Sequence, residues 1–190
     1  GLAIAQTLQA PKEEAKILNN FAHTLLKSGQ LSEAEVQLRQ AIQLLDSLRG
    51  GLPDAETISI FDTQLFTYNL LQQVLIAKEQ PEAALEISEW GRARAFTKLL
   101  VQGKRDRPLS ESLPEPDPPN LDRIRQVARR QNATLVEYSI VPDDSFLHRG
   151  KLWGEKADRL YIWVVKPTGK IDFRSIDLKS LETPISTLIP

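Results

Sequence analysis

Few side chains in this sequence could drive covalent chemistry. His23 and His148 are the two histidines, the residue type that exchanges a proton near neutral pH. An imidazole becomes catalytic when it can activate a nucleophile, and there is no Cys to activate. That composition also removes disulfides and thiolate metal sites from the chain. His23 falls at an outward helical position and His148 in a polar loop, so neither is assigned as a catalytic base. The acidic pairs Glu13–Glu14 and Asp143–Asp144 are sequence neighbours that point in different directions, which suits solvation better than acid–base work or metal binding. No GxxxxGK, GxGxxG, HExxH or CxxC motif is present. The expectation is therefore no catalytic residue, no cofactor and no metal.

A binding chemistry is the next candidate. Arg123, Arg125, Arg129 and Arg130 line one short predicted helix and could meet phosphates. They have no aromatic stacking platform, and the net charge of the chain is −1. A solvated face is the preferred reading, and nucleic-acid binding the weaker one.

The elements that would position a binding surface are helical in the first half. A hydrophobic fraction of 41% with 26% charge is ordinary for a packed chain. No run of 18 or more apolar residues and no signal-peptide pattern is visible. Gly1–Gln9 carries Leu2, Ala5 and Leu8 at helical spacing and stops before Pro11. Glu13–Lys27 presents Leu18, Phe21, Ala22 and Leu25 on one stripe. After SerGlyGln at 28–30, Ser32 offers an N-cap for a helix through Leu48, with Ala34, Leu38, Ala41 and Leu45 inward.

The order of large and small residues in this pair resembles the tetratricopeptide repeat (TPR). Counted from Ala15, Leu18, Phe21, Ala22 and Leu25 take the first-helix positions, Gly29 the turn, and Ala34, Leu38 and Ala41 the second-helix positions. The small residues let two helices approach, and the large ones fill the groove between them. Tyr68, Leu71, Leu75, Pro81, Ala84 and Gly91 repeat the register at an offset of 50, while Gln72 and Ser88 depart from it. The resemblance implies a concave surface built from the first helix of each pair. By helix facing, that surface would present Asn19, Asn20, His23, Lys27, Gln64 and Asn69 to a protein or peptide partner.

Pro81–Gln102 reads as one long helix with two apolar stripes. Ala84, Ile87, Gly91, Ala95 and Leu99 form one; Trp90, Ala93, Phe96 and Leu100 form the other. Two stripes imply two neighbours. One side would close the repeat array, and Trp90 and Phe96 would dock the second half of the chain. Arg92 and Arg94 bracket this surface, with Glu86 or Glu89 as company.

A proline-rich stretch at 104–119 reads as an extended linker. Asn120 caps a helix to Gln131, with Leu121, Ile124 and Val127 inward. The period then changes to two. Ala133–Val141, Arg159–Lys166 and Ile171–Ile176 read as strands, the second apolar on both faces and therefore central, the third returning antiparallel after ProThrGly at 167–169. The loop 142–158 holds His148 and Trp153. Thr183 and Pro184 could begin a helix carrying Ile185, Leu188 and Ile189. The fold class is α + α/β: TPR-like helical hairpins, an α-solenoid fragment, followed by a small, incomplete three-stranded sheet with one or two helices. The divisions are 1–103, 104–119 and 120–190.

LeuGluIleSerGluTrpGlyArgAlaArgAlaPhe at 85–96, ThrLeuValGluTyrSerIle at 134–140, LeuTyrIleTrpVal at 160–164 and ArgSerIleAspLeu at 174–178 together resemble the TPR–CHAT proteins common in cyanobacteria. In these, repeats precede a caspase-like domain. The resemblance implies a His/Cys peptidase dyad in a longer parent protein, beyond Pro190, and a regulatory, partner-sensing role for this chain, which opens without Met and reads as a fragment. The alternative is a non-enzymatic TPR scaffold with a degenerate α/β part. A cytoplasmic location is the default expectation. No membrane partner is expected, and an exposed sheet edge could pair with a second copy.

Overall fold

The structure, a computed structural model, describes residues 1–48, 54–102, 120–141 and 159–178, without the side chains of 54–59, 61–62 and 94–102. Its elements in chain order are α1 (Leu2–Thr7), α2 (Pro11–Lys27), α3 (Leu31–Ser47), α4 (Asp54–Ala77), α5 (Pro81–Gln102), α6 (Leu121–Gln131), β1 (Leu135–Val141), β2 (Arg159–Val165) and β3 (Ile171–Asp177). TPR-like hairpins are followed by a three-stranded antiparallel sheet of order β1-β2-β3.

Each helix from α2 to α5 packs on the next, and α2 also touches α4. The small residues sit where close approach requires them. Ala15, Ala22, Ala34, Ala41 and Ala84 are fully buried beside Leu18, Leu38, Leu45, Leu75 and Leu85. Gln72 and Ser88 are buried as well. Relative to Ala22 and Leu38, they exchange small for large and large for small, which roughly conserves the volume that must fill the interface. Phe21 is half exposed, off the buried stripe of Leu18, Ala22 and Leu25.

The strongest sign of a repeat lies in the turns. Gly29 N donates to Leu26 O and Gln30 N to Leu25 O; fifty residues on, Glu79 N donates to Ile76 O and Gln80 N to Leu75 O. Ala34 N then bonds Gln30 O, and Ala84 N bonds Gln80 O. Both turns pass through the left-handed region, at φ 79° for Gly29 and 59° for Glu79. The turn also corrects the expected cap. α3 starts at Leu31 with Gln30 as its N-cap, and Ser32 already lies inside the helix.

α6 forms as its cap implies: the Asn120 side chain accepts from Arg123 N at 2.9 Å. Its buried face is Ile124 and Ala128, with Leu121 half-buried, and Val127 is 48% exposed. Positions 121, 124 and 128 stack along one stripe, and 127 lies beside it.

β2 is central, as its double apolar pattern implies, but one face is covered more fully than the other. Tyr161, Trp163 and Val165 are buried, while Leu160, Ile162 and Val164 are half-buried. The hairpin after β2 turns through Pro167, Thr168 and Gly169, with Gly169 N donating to Lys166 O at 2.8 Å. Gly169 has φ +88°, and a Cβ there would stand 2.6 Å from the Arg129 guanidinium. One continuous apolar cluster runs from Ala22 and Leu38 through Tyr68 and Leu85 to Ile124, Tyr161 and Trp163. The sheet thus shares its core with the helices.

The paired turns make a symmetric prediction. A left-handed φ costs a non-glycine residue roughly 1–2 kcal/mol, partly offset because glycine loses more chain entropy on folding. Glu79→Gly should raise the unfolding free energy by about 1 kcal/mol, and Gly29→Ala should lower it by a similar amount. Urea denaturation reads both; shifts of the same sign would show that the two turns are not equivalent.

Candidate functional site

α2 and α4 place the six polar residues expected on a concave surface in two different settings. Asn19 is fully buried, and its Nδ2 donates to Thr67 Oγ1 at 2.9 Å. Thr67 in turn donates to Thr63 O at 2.8 Å. Gln64 is buried and donates from Nε2 to Asp46 Oδ1 at 3.1 Å, tying α4 to α3. Asn69 is buried too. These three are therefore not open surface groups. Asn19 and Asn20 lie about 100° apart on the helix, and α4 covers the side that holds Asn19. Asn20 and His23 are half-buried and Lys27 is exposed. At spacings of three and four, they form one strip on α2.

Other candidates separate equally clearly. Glu13 is exposed and pairs with Lys16 at 3.1 Å, whereas Glu14 is buried and accepts from Gln6 Nε2 at 3.0 Å. His148, Trp153 and Asp143–Asp144 lie outside the described residues. Among the described residues, no group of His, Cys, Asp or Glu could hold a metal ion.

The first turns of α5 form a densely connected polar region. Trp163, buried at the centre of β2, donates its Nε1–H to Pro81 O at 2.7 Å. Arg125 of α6 places Nη2 at 3.0 and 2.9 Å from the two Glu82 carboxylate oxygens. Its Nε donates to Gly169 O at 3.1 Å. One guanidinium thus joins α5, α6 and the β2–β3 turn, a fork geometry that Lys could not reproduce. Arg125 therefore departs from the solvated-face reading, while Arg123, Arg129 and Arg130 are exposed. One turn further along α5, Glu86 Oε1 accepts from Leu121 N at 2.7 Å, filling an orphan donor at the start of α6. Next comes Arg92, which pairs with Glu89 and, at 2.5 Å, with Glu137 of β1.

The expected seam ran through Trp90 and Phe96. Trp90 is half-buried and stacks at 5.9 Å centroid distance on Tyr68 of α4. Phe96 falls within α5, but its side chain lies outside the described residues. Among the described residues, Pro81 O, Glu82, Glu86, Glu89 and Arg92 connect α5 to α6 and the sheet. Sequence periodicity could not find that connection, because each polar partner is remote in the chain. The one signal was the unusual acidic spacing at 82, 86 and 89 on a helix already assigned two neighbours.

Electrostatics distinguish three carboxyls. Burial pushes Glu89 above its ordinary value, Arg92 opposes that, and the Glu137 carboxyl beside it adds to the rise. For Glu35, burial raises the pKa, but hydrogen bonds and charge from Lys78 and Arg39 together outweigh it and hold the group low. Lys78 bonds Glu35 at 2.6 Å, linking α3 to the turn before α5. Asp172 is brought down to about 2 by hydrogen bonds from Lys166 and Lys170.

No protein-family model and no solved structure matches the chain. Two curated proteins do. The chain is similar to tetratricopeptide repeat protein 28 of Mus musculus and of Homo sapiens, in each case at 31% identity over 158 residues. The match covers 82% of this chain and 6% of each relative, so the chain spans a small part of the proteins it resembles. A match of that extent in 190 residues cannot be confined to the helical part and takes in α6 and β1.

The raised pKa of Glu89 fixes the sign of a pH effect. The folded state binds its proton more tightly than the unfolded state does. Its contribution is therefore favourable at low pH and lost as pH rises from the ordinary value of 4.5 through the raised one. Glu89→Gln should raise the thermal midpoint at pH 7, and the gain should shrink as pH falls through that window. Midpoints measured from pH 4 to 8 check this; a loss of stability at pH 7 would mean that the charge on Glu89 is needed by Arg92.

Proposed function

We propose that this chain is a protein-interaction module in which TPR-like hairpins receive a protein or peptide partner and transmit its binding to an α/β segment clamped on α5. The repeated turn at an offset of 50 residues carries the reading, because it identifies two copies of one hairpin unit. The similarity to tetratricopeptide repeat protein 28 supports it. The strip Asn20, His23 and Lys27 is the contact surface, rich in donors and suited to an acceptor-rich peptide backbone. Asn19, Gln64 and Asn69 support that surface from within.

The finer reading divides the chain into a repeat array at 1–103, a linker at 104–119 and the start of a CHAT-like α/β domain at 120–190. In this reading, a longer cytoplasmic protein carries the caspase-like chemistry, since this chain supplies no thiol. What supports it is the set of motifs at 85–96, 134–140, 160–164 and 174–178. The full-length protein should then cleave a peptide substrate in a manner that depends on a His and a Cys outside this chain. Cleavage that survives replacement of every Cys would end this reading and leave the interaction module standing.

The module itself is tested by selecting peptides from a displayed library on the full chain. The combined change Asn20→Ala, His23→Ala and Lys27→Ala should weaken the selected peptides about tenfold or more, roughly 1.4 kcal/mol, with helical content unchanged. Unaltered affinity would remove the α2 strip from the site.

A further inference from the structure

β1 meets the helical layer through charge. Glu137 lies opposite Trp163 in the antiparallel register and so shares its face, toward the helices. Arg92 of α5 reaches Glu137 at 2.5 Å and also meets Glu89, one turn back on its own helix. The Glu89 and Glu137 side chains are 25% and 22% exposed, against 43% for Arg92. The guanidinium is the wetter group, and both carboxyls are largely shielded. They stand close enough to share a hydrogen bond. Glu89 Oε1 is buried and, among the described residues, accepts no directed hydrogen bond, only the charge contact with Arg92. Two carboxyls in such contact repel unless one of them carries a proton. Neighbouring charges are engaged elsewhere: Glu86 accepts from Leu121 N, and Arg125 of α6 is forked on Glu82. Among the described residues, the charges acting on Glu89 are thus Arg92 from its own helix and Glu137 from β1.

We propose that Glu89, Arg92 and Glu137 form a proton-operated latch between α5 and β1. With the latch closed, Glu89 has taken a proton from solvent and donates it in a hydrogen bond to the Glu137 carboxylate, which stays paired with Arg92. The cluster then holds one negative and one positive charge, a balance that suits a shielded site. When the proton returns to solvent, two carboxylates face one guanidinium, and the contact between α5 and β1 weakens. Burial raises Glu89 above its ordinary 4.5, Arg92 opposes the rise, and Glu137 adds to it. The folded state therefore binds this proton more tightly than the unfolded state does. The closed form is favoured in acid and given up as pH rises from 4.5 through the raised value. The Trp163–Pro81 bond contains no titratable group, so β2 keeps its seat on α5 while β1 responds. The latch is independent of the binding role of α2.

Carboxyl carbon resonances of the full chain, followed through a pH titration, test the latch. In the unsubstituted chain, Glu89 should titrate above 4.5, and the backbone amides of Val136 to Tyr138 should shift with the same midpoint. Glu137→Gln should bring the Glu89 midpoint down, and Glu89→Gln should remove that step from the β1 amides. A Glu89 midpoint that ignores Glu137→Gln, or β1 amides that do not follow Glu89, would overturn the proposal. Thermal midpoints of both single variants and of the double variant give a second reading. At pH 8 either glutamine should stabilise the chain by relieving the repulsion, and the double variant should gain no more than the better single one. Near pH 4.5 all three should lie close to the unsubstituted chain. No gain from either single variant at pH 8, or gains that simply add, would show that the two carboxyls do not act on each other.

Discussion

A fully buried indole must satisfy its N–H, and that requirement organises the second half of this molecule. Trp163 finds its acceptor in the carbonyl of Pro81, at 2.7 Å. Leaving that donor unmet in the core would cost about 1–3 kcal/mol. The bond therefore fixes where the centre of β2 sits on the first turn of α5. Around it, Trp163, Tyr161 and Phe173 form a mutual ring cluster with centroids 5.4 to 6.0 Å apart, an apolar plug against the helical layer. The Glu82–Arg125 fork and the Glu86–Leu121 bond then set the orientation of α6 over the same sheet face.

The helical half achieves close packing by a different route. Alanines at the crossing points let helices approach, and a left-handed turn residue redirects the chain between them. The two turns share a hydrogen-bond pattern although one uses Gly29 and the other Glu79. Packing on both sides holds the second turn in a conformation that its own residue disfavours. Lys78, in that turn, also reaches back to Glu35 of α3, so the turn is braced from outside as well as from its backbone.

These two parts meet through α5, which contacts α4 on one side and α6 on the other. Its contact with α4 includes the Trp90–Tyr68 ring pair, and Ala84, Leu85 and Ile87 are buried in the shared apolar core. Its contact with α6 and the sheet is largely polar, through Glu82, Glu86, Glu89 and Arg92. Polar seams of this kind depend on charge state and geometry, whereas the apolar side depends on volume.

Much of this was legible from residue types and spacing. The described helices and strands, the central position of β2, the Asn120 cap and the repeat offset all follow from local periodicity and turn chemistry, which act within a few residues. What the tertiary structure alone decided is which side of each element is covered. It buried Asn19, Gln64 and Asn69, which helix facing had placed outside, because α4 and α3 lie against them. It turned Trp90 toward Tyr68, and it made Arg125 a clamp between Glu82 and Gly169. Each of these depends on a partner several helical turns or whole elements away, and no periodicity encodes the identity of a distant neighbour.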